Sequence, residues 1–239
     1  MTDSLDAVLK VGGSLSQGQG LAALCQEISR LGAQHRLLVV PGGGKFADLV
    51  RDQYRRYRLC ETTAHRMAVL AMDQYGCLLG DLVGGSSLVM DLLSARKVTE
   101  GGQVAILLPA SLLIQADPLP HSWQVTSDAI AAWVAGLAQA SRLILLKDVD
   151  GLFSADPVQS ETVTLLAQLS PEELAVHQGG VDEYLSTVLA SVDLETWVIN
   201  GQHPERLAEL LCTGRTLGTH ITCGAGNRPA VQHPARAGR

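Results

Sequence analysis

Lys10-Val11-Gly12-Gly13-Ser14 and Pro41-Gly42-Gly43-Gly44-Lys45 are two glycine turns, each closing a short apolar run. Glycines at such points let backbone N–H groups approach a phosphate closely, and a following helix adds the positive end of its dipole. Lys10 supplies a point charge able to span two phosphoryl groups, which suits phosphoryl transfer. The other reading of this segment is a plain strand-to-helix turn with a surface lysine. The second turn, as Gly42-x-Gly44-x-x-Ala47, formally satisfies a dinucleotide-binding fingerprint. That fingerprint needs an acid about 20 residues on at a strand end, whereas Glu61 opens another helical stretch. The Walker pattern fails too, because Phe46 stands where Ser or Thr would hold magnesium. Two separate glycine turns fit transfer from phosphate to phosphate, with donor and acceptor each cradled.

Two further segments carry acids and hydroxyls. In Trp123-Gln124-Val125-Thr126-Ser127-Asp128 the acid opens a helix. It is either a favourable contact with the helix dipole or the group that orients Lys10, with Thr126 and Ser127 offering hydroxyls. Lys147-Asp148-Val149-Asp150-Gly151-Leu152-Phe153 runs from a strand into an acidic turn. Its acids could shape a nucleotide site or lie near magnesium, and Asp-Gly is also an ordinary turn pair. The seven histidines show no metal-ligand spacing, so no metal site is expected from protein motifs. His65, on a helix, reads as packed or solvated. Arg51, Arg55, Arg56 and Arg58 read as a solvated helix face that could also meet an anionic substrate.

The elements that must position these groups form a regular alternation. Ala7–Val11, then residues 36–40, 104–108, 143–146 and 196–199, are continuous apolar runs, as expected of parallel strands covered on both faces. Amphipathic segments between them, such as 20–32 and 129–138, read as helices. The fold class is therefore α/β, a three-layer α/β/α sandwich with a mostly parallel central sheet. Ligands of such sheets bind at the carboxyl edge, where the glycine turns fall. Ser170-Pro171-Glu172-Glu173 is a capping box with proline at the first helical position.

The composition agrees with one folded domain over residues 1–223. The chain has 239 residues, 46% of them hydrophobic, which excludes a disordered chain. With 24 acids, 18 bases and no basic stripe, duplex nucleic acid is not expected as a partner. The longest apolar stretch, 104–114, contains Pro109 and Ser111 and falls short of the roughly 20 residues that span a bilayer. No membrane association is expected, and with acids rather than bases near Met1 a cytoplasmic location is. The five cysteines are scattered without a C-x-x-C and read as buried small hydrophobes in a reducing compartment. Residues 224–239, rich in Gly, Pro, Ala and Arg, are expected to form a mobile tail.

In this order, the four segments resemble the amino acid kinase family, which includes acetylglutamate, aspartate, uridylate and isopentenyl phosphate kinases. Lys10 to Leu15 resembles its opening phosphate turn and Pro41-Gly42-Gly43-Gly44 its substrate-side turn. Thr126-Ser127-Asp128 is similar to its organising aspartate segment, and Asp148-Val149-Asp150-Gly151 to its nucleotide-side turn. The resemblance implies an acceptor half, about 1–120, and an ATP half, about 121–223. It implies ATP and Mg²⁺, a small phosphomonoester as partner, and a homodimer or higher homo-oligomer.

A narrower resemblance lies in His121-Ser122-Trp123-x-x-Thr126-Ser127-Asp128, Val181-Asp182-Glu183 and Val198-x-Asn200-Gly201-x-His203-Pro204-Glu205-Arg206. These strings are similar to the branch that converts [5-(aminomethyl)furan-3-yl]methyl phosphate to its diphosphate in methanofuran synthesis. On that basis Lys10 and Asp128 are the expected catalytic residues. Gly12, Gly13, Ser14, Lys147, Asp148, Asp150, Gly151 and Phe153 would meet ATP, and Gly42, Gly43, Gly44, Thr126 and Ser127 the acceptor. An acid of the first half would meet the amine, with Asp48, Asp73 and Asp81 as unranked candidates. Uridylate kinase, isopentenyl phosphate kinase and a non-catalytic nucleotide- or oxyanion-binding protein remain as alternatives. One departure stands out: many family members carry a second catalytic lysine after a Gly-Gly in the second half, where Gly179-Gly180 here leads to Tyr184.

Overall fold

β1 (Ala7–Val11), β2 (Leu37–Pro41) and β4 (Val104–Leu107) are buried at every position, as continuous apolar runs require when both sheet faces are covered. The computed structural model describes residues 4–18, 20–155, 163–177 and 179–222. The remaining elements are α1 (Leu21–Gly32), α2 (Gly44–Tyr57), α3 (Glu61–Leu82), β3 (Ser86–Val89), α4 (Leu92–Glu100), α5 (Ala110–Ala116), α6 (Ser127–Ala138), β5 (Arg142–Lys147) and β6 (Gln168–Leu169). They continue with α7 (Pro171–Val176), α8 (Leu185–Ser191), β7 (Glu195–Asn200), α9 (Pro204–Thr213) and β8 (Thr219–Ile221).

Among the described residues the strands form one sheet in the order β3-β4-β2-β1-β5-β7-β8-β6, parallel except at β7–β8. Alternate residues divide between its faces. Val8, Leu143, Leu145 and Val198 join α6 and α8 in one core, while Leu9, Val11, Ile144 and Ile199 join α1 and α9 in the other. The α/β/α sandwich with a mostly parallel sheet is therefore as the sequence implies. Alanines 129, 131, 132 and 135 of α6 are fully buried, so this helix can lie close on β1 and β5.

The anticipated capping box opens α7: Ser170 Oγ accepts from Glu173 N–H at 3.2 Å, and Glu173 Oε2 accepts from Ser170 N–H at 2.7 Å. A 3₁₀ turn, Gly13–Gln17, lies between the first glycine turn and α1, which falls where the 20–32 helix is expected. One local expectation needs correction. Among the described cysteines only Cys25 is buried; Cys60, Cys77 and Cys212 are exposed, because they occupy outward positions on or beside helices. Cys223 and the tail expected over 224–239 lie outside the described residues. No helix among the described residues is long and apolar enough to cross a membrane.

Candidate functional site

Strand register brings the chemistry together. The central strands β2-β1-β5-β7 run parallel, so their carboxyl ends share one edge. Val11 pairs with Pro41 and with Leu146, and Lys147 pairs with Asn200. Both glycine turns, Lys147 and Asn200 therefore emerge side by side.

Lys10 pairs with Leu145, and Lys147 lies two residues further along β5, so both lysines point to the face that α6 covers. Asp128, in the first turn of α6, meets them there. Its Oδ1 lies 2.8 Å from Lys10 Nζ and its Oδ2 2.5 Å from Lys147 Nζ. The Asp128 and Lys10 side chains are 2% and 5% exposed and that of Lys147 14%, so the charges face one another with little solvent. Burial pulls the Lys10 ammonium below its ordinary range, and nearby Lys147 adds to this, while Asp128 opposes it. Burial alone would raise the Asp128 carboxyl, but the two lysines outweigh it and hold it well below the usual carboxylate range.

The glycine turns pack against each other. A Cβ on Gly13 would lie 2.3 Å from Gly44 N, and one on Gly42 would lie 2.8 Å from Gly13 N. Only glycine permits that approach. The amides of Gly12 and Gly42 are committed to the sheet, donating to Leu146 O and Val11 O at 2.9 Å each. Those of Gly13, Gly43 and Gly44 make no backbone hydrogen bond among the described residues, which leaves them to receive an anion. Tyr75, buried, donates to Gly12 O at 3.4 Å. Ser14 sits exposed on the 3₁₀ turn.

The acidic turn after β5 is held by α9 and the end of β7. Asp150 Oδ1 accepts from Asn200 Nδ2 at 3.0 Å and Arg206 at 2.5 Å, and these bonds lower its carboxyl below the ordinary range. Asp148 is exposed at the edge. Gly151 is buried against Thr219, whose Oγ1 would lie 2.6 Å from a Cβ there. Phe153 forms a bridge with Leu165.

Asp182 was not singled out as a site residue, and it is central. Its Oδ2 accepts from Thr126 N–H at 3.0 Å, Thr126 Oγ1 at 2.9 Å and Ala129 N–H at 2.9 Å. It thereby caps α6 from more than 50 residues away and fixes the turn that carries Asp128. Burial and the charge of Asp128 push its carboxyl up. The one signal available was the Val181-Asp182-Glu183 string.

A cleft extends from the second glycine turn between α2 and α3, roofed by residues 122–127. Its lining includes Gly43, Ala47, Arg51, Glu61, His65, Met72, Trp123, Thr126 and Ser127. Gly43, Ala47 and Arg51 recur every four residues and so share one face of α2. Arg51 is thus turned into the site, its guanidinium 5.1 Å from the Trp123 ring centre, while Arg55, Arg56 and Arg58 stay exposed. His65 also lines the cleft, stacked on His121 with ring centres 4.4 Å apart. Asp48, Asp73 and Asp81 do not line it. Asp48 instead pairs with Arg51 at 2.7 Å, and Asp73 accepts from Ala110 N–H at 3.0 Å. Among the described residues no group of three His, Cys, Asp or Glu could hold a metal ion.

Comparison with known proteins places this geometry in context. The profile described as amino acid kinase family matches residues 7–196. A [5-(aminomethyl)furan-3-yl]methyl phosphate kinase from Methanocaldococcus jannaschii is 27% identical over 206 residues, 85% of this chain and 92% of the relative. A uridylate kinase from Methanococcus maripaludis is 28% identical over 225 residues, 89% of this chain and 93% of the relative. The crystal structure of uridylate kinase from Archaeoglobus fulgidus superposes with a TM-score of 0.73 at 23% identity, covering 91% of this chain and all of that one.

Proposed function

Because the chain belongs to the amino acid kinase family, we propose that it transfers the γ-phosphoryl group of ATP to a phosphomonoester, giving a diphosphate. The proposed acceptor is [5-(aminomethyl)furan-3-yl]methyl phosphate, the compound named for the archaeal relative. The product would then serve as an activated diphosphate for a methanofuran-type cofactor. The observation that carries the reading is the contact between the two glycine turns, with the Lys10–Asp128–Lys147 triad beside them. Two anion cradles in direct contact suit a reaction in which one phosphate attacks another.

In that reaction an acceptor phosphate oxygen forms a bond to the γ-phosphorus as the bond to the departing ADP oxygen breaks. Positioning and charge neutralisation supply the catalysis. The Gly43 and Gly44 amides and the α2 N-terminus would hold the acceptor phosphate, and the Gly13 amide the phosphates of ATP. Lys10 would stabilise charge on the moving phosphoryl group and Lys147 charge on the nucleotide side, with Asp128 fixing both ammonium groups. Asp150 and Gly151 shape the nucleotide turn. Mg²⁺ would neutralise the triphosphate. With Asp128 engaged by two lysines, the metal would be held mainly by the phosphates.

The test is ADP release at fixed ATP and magnesium with four acceptors: the aminomethylfuran phosphate, its des-amino analogue, uridine monophosphate and isopentenyl phosphate. The first should give a kcat/KM at least about 10²-fold above the last two, the discrimination available when a built site is left unmatched. Uridine monophosphate as the best acceptor would make the protein a uridylate kinase. Nucleotide binding without ADP release on any of the four would favour a non-catalytic binding protein.

A further inference from the structure

The two ends of the cleft described above differ in charge. At one, beside Gly43, the α2 amides and the lysine pair would favour an acceptor phosphate. Arg51 lies eight residues beyond Gly43 on the same face, about 12 Å along the axis. Its charge is met by Asp48 at 2.7 Å and by the Trp123 ring. At this distal end stands Glu61, the one carboxylate among the lining residues described.

α2 and α3 are joined by only three residues, 58–60, and pack side by side, so α3 runs back towards the sheet edge. Its first residue, Glu61, therefore sits beside the end of α2. There its Oε1 accepts from Tyr54 Oη at 2.7 Å. Tyr54 is itself set by an edge-on contact with Trp123, ring centres 5.6 Å apart. A neutral hydroxyl leaves the carboxylate charge uncompensated, and no salt bridge engages Glu61 among the described residues. Between the two ends the lining includes the Trp123 and His65 rings and the apolar side chains of Ala64, Ala68 and Met72. Phosphate, flat apolar body and cation are thus each matched in order along the cleft.

We propose that Glu61, held by Tyr54, is the specificity residue that receives the acceptor's ammonium group. This rests on the reading of the acceptor as an amine-bearing phosphomonoester, and it replaces the three aspartates that the sequence offered. Glu61 is exposed and opens a helix, so Glu61→Gln keeps the local shape and removes the charge.

The experiment compares wild type, Glu61→Gln and Glu61→Asp on the aminomethylfuran phosphate and on the analogue bearing methyl in place of aminomethyl. In the wild type the amine should raise kcat/KM by about tenfold or more, an exposed carboxylate giving less than a buried one. In Glu61→Gln this advantage should collapse towards unity through a higher KM for the amine. Its kcat should stay within about threefold, as expected when binding rather than transition-state stabilisation is lost. The des-amino analogue should react alike with both proteins, and Glu61→Asp should recover part of the preference. An amine preference undiminished in Glu61→Gln overturns the assignment and leaves the furan phosphate reading standing. A wild type that phosphorylates neither compound overturns both at once, and does so without any variant.

Discussion

Asp128→Asn removes the single carboxylate that buried Lys10 and partly buried Lys147 share. Lys10 and Lys147 lie at 2.8 and 2.5 Å from its two oxygens, so the variant leaves two ammonium groups facing each other with no anion between them. At a separation of about 6 Å and an effective dielectric near 20, their repulsion is on the order of 3 kcal/mol. Removing one partner of a buried ion pair typically costs about 3–5 kcal/mol, and the two estimates agree. For a chain of this size that corresponds to a melting temperature lower by roughly 10 °C. Saturating ATP should restore part of the loss, since its phosphates supply the missing negative charge.

The sign with pH follows from the same charges. Burial already holds the Lys10 ammonium below its ordinary range, and loss of Asp128 removes the group that opposes this. Between the depressed native value and the unfolded value near 10.4, the unfolded chain binds more protons, so stability rises with pH. The deficit of Asp128→Asn should therefore shrink as pH rises towards the wild-type Lys10 value, itself below the ordinary lysine range. The assay is thermal unfolding followed by circular dichroism for wild type, Asp128→Asn and the double variant Asp128→Asn/Lys147→Met. The double variant should be more stable than the single one, because only one unpaired cation remains. A single-variant shift under about 2 °C, or a double variant no more stable than the single, refutes the charge argument.

Lys147→Met alone leaves the Lys10–Asp128 pair intact. It should melt within about 4 °C of wild type while kcat falls by about 10²-fold, the usual loss when one transition-state charge partner is removed. A kcat within threefold of wild type, in the same ADP-release assay, would remove Lys147 from the reaction. Gly13→Ala brings its Cβ to 2.3 Å from a backbone atom that no rotamer change can move. It should force the two turns apart and lower kcat/KM by about 10²-fold or more, as a displacement near 1 Å can; unchanged kinetics would show that the contact is not needed.

What the sequence made legible was what neighbouring residues decide. The apolar runs, the glycine turns and the capping box at Ser170 are local patterns, and each lies where expected. Lys10 announced itself as a lone charge in a strand otherwise buried end to end. Asp182 did not, because its partners Thr126 and Ala129 are 56 and 53 residues away. Glu61 looked like an acid favoured at any helix start, and only the return of α3 along α2 gives it a cleft to face. The cysteines failed for a related reason: composition says how often a type is buried, but not which face of a helix carries it.

The departure at Gly179-Gly180 acquires its meaning from the same contacts. Where the family resemblance calls for a lysine from a loop, this loop supplies Asp182 to the start of α6. In the proposed reaction the second cation would come instead from β5, as Lys147, which pairs with Asp128. The exchange is possible because strand parity and register already set Lys147 on the face and at the edge where Asp128 arrives. A lysine at a strand end loses less freedom on being fixed than one in a loop, whose backbone must be ordered as well. It also leaves the loop free to secure the aspartate. Lys147 and Asp182 therefore act as complementary halves of one solution, one providing charge and the other holding the helix that receives it, and neither is interpretable alone.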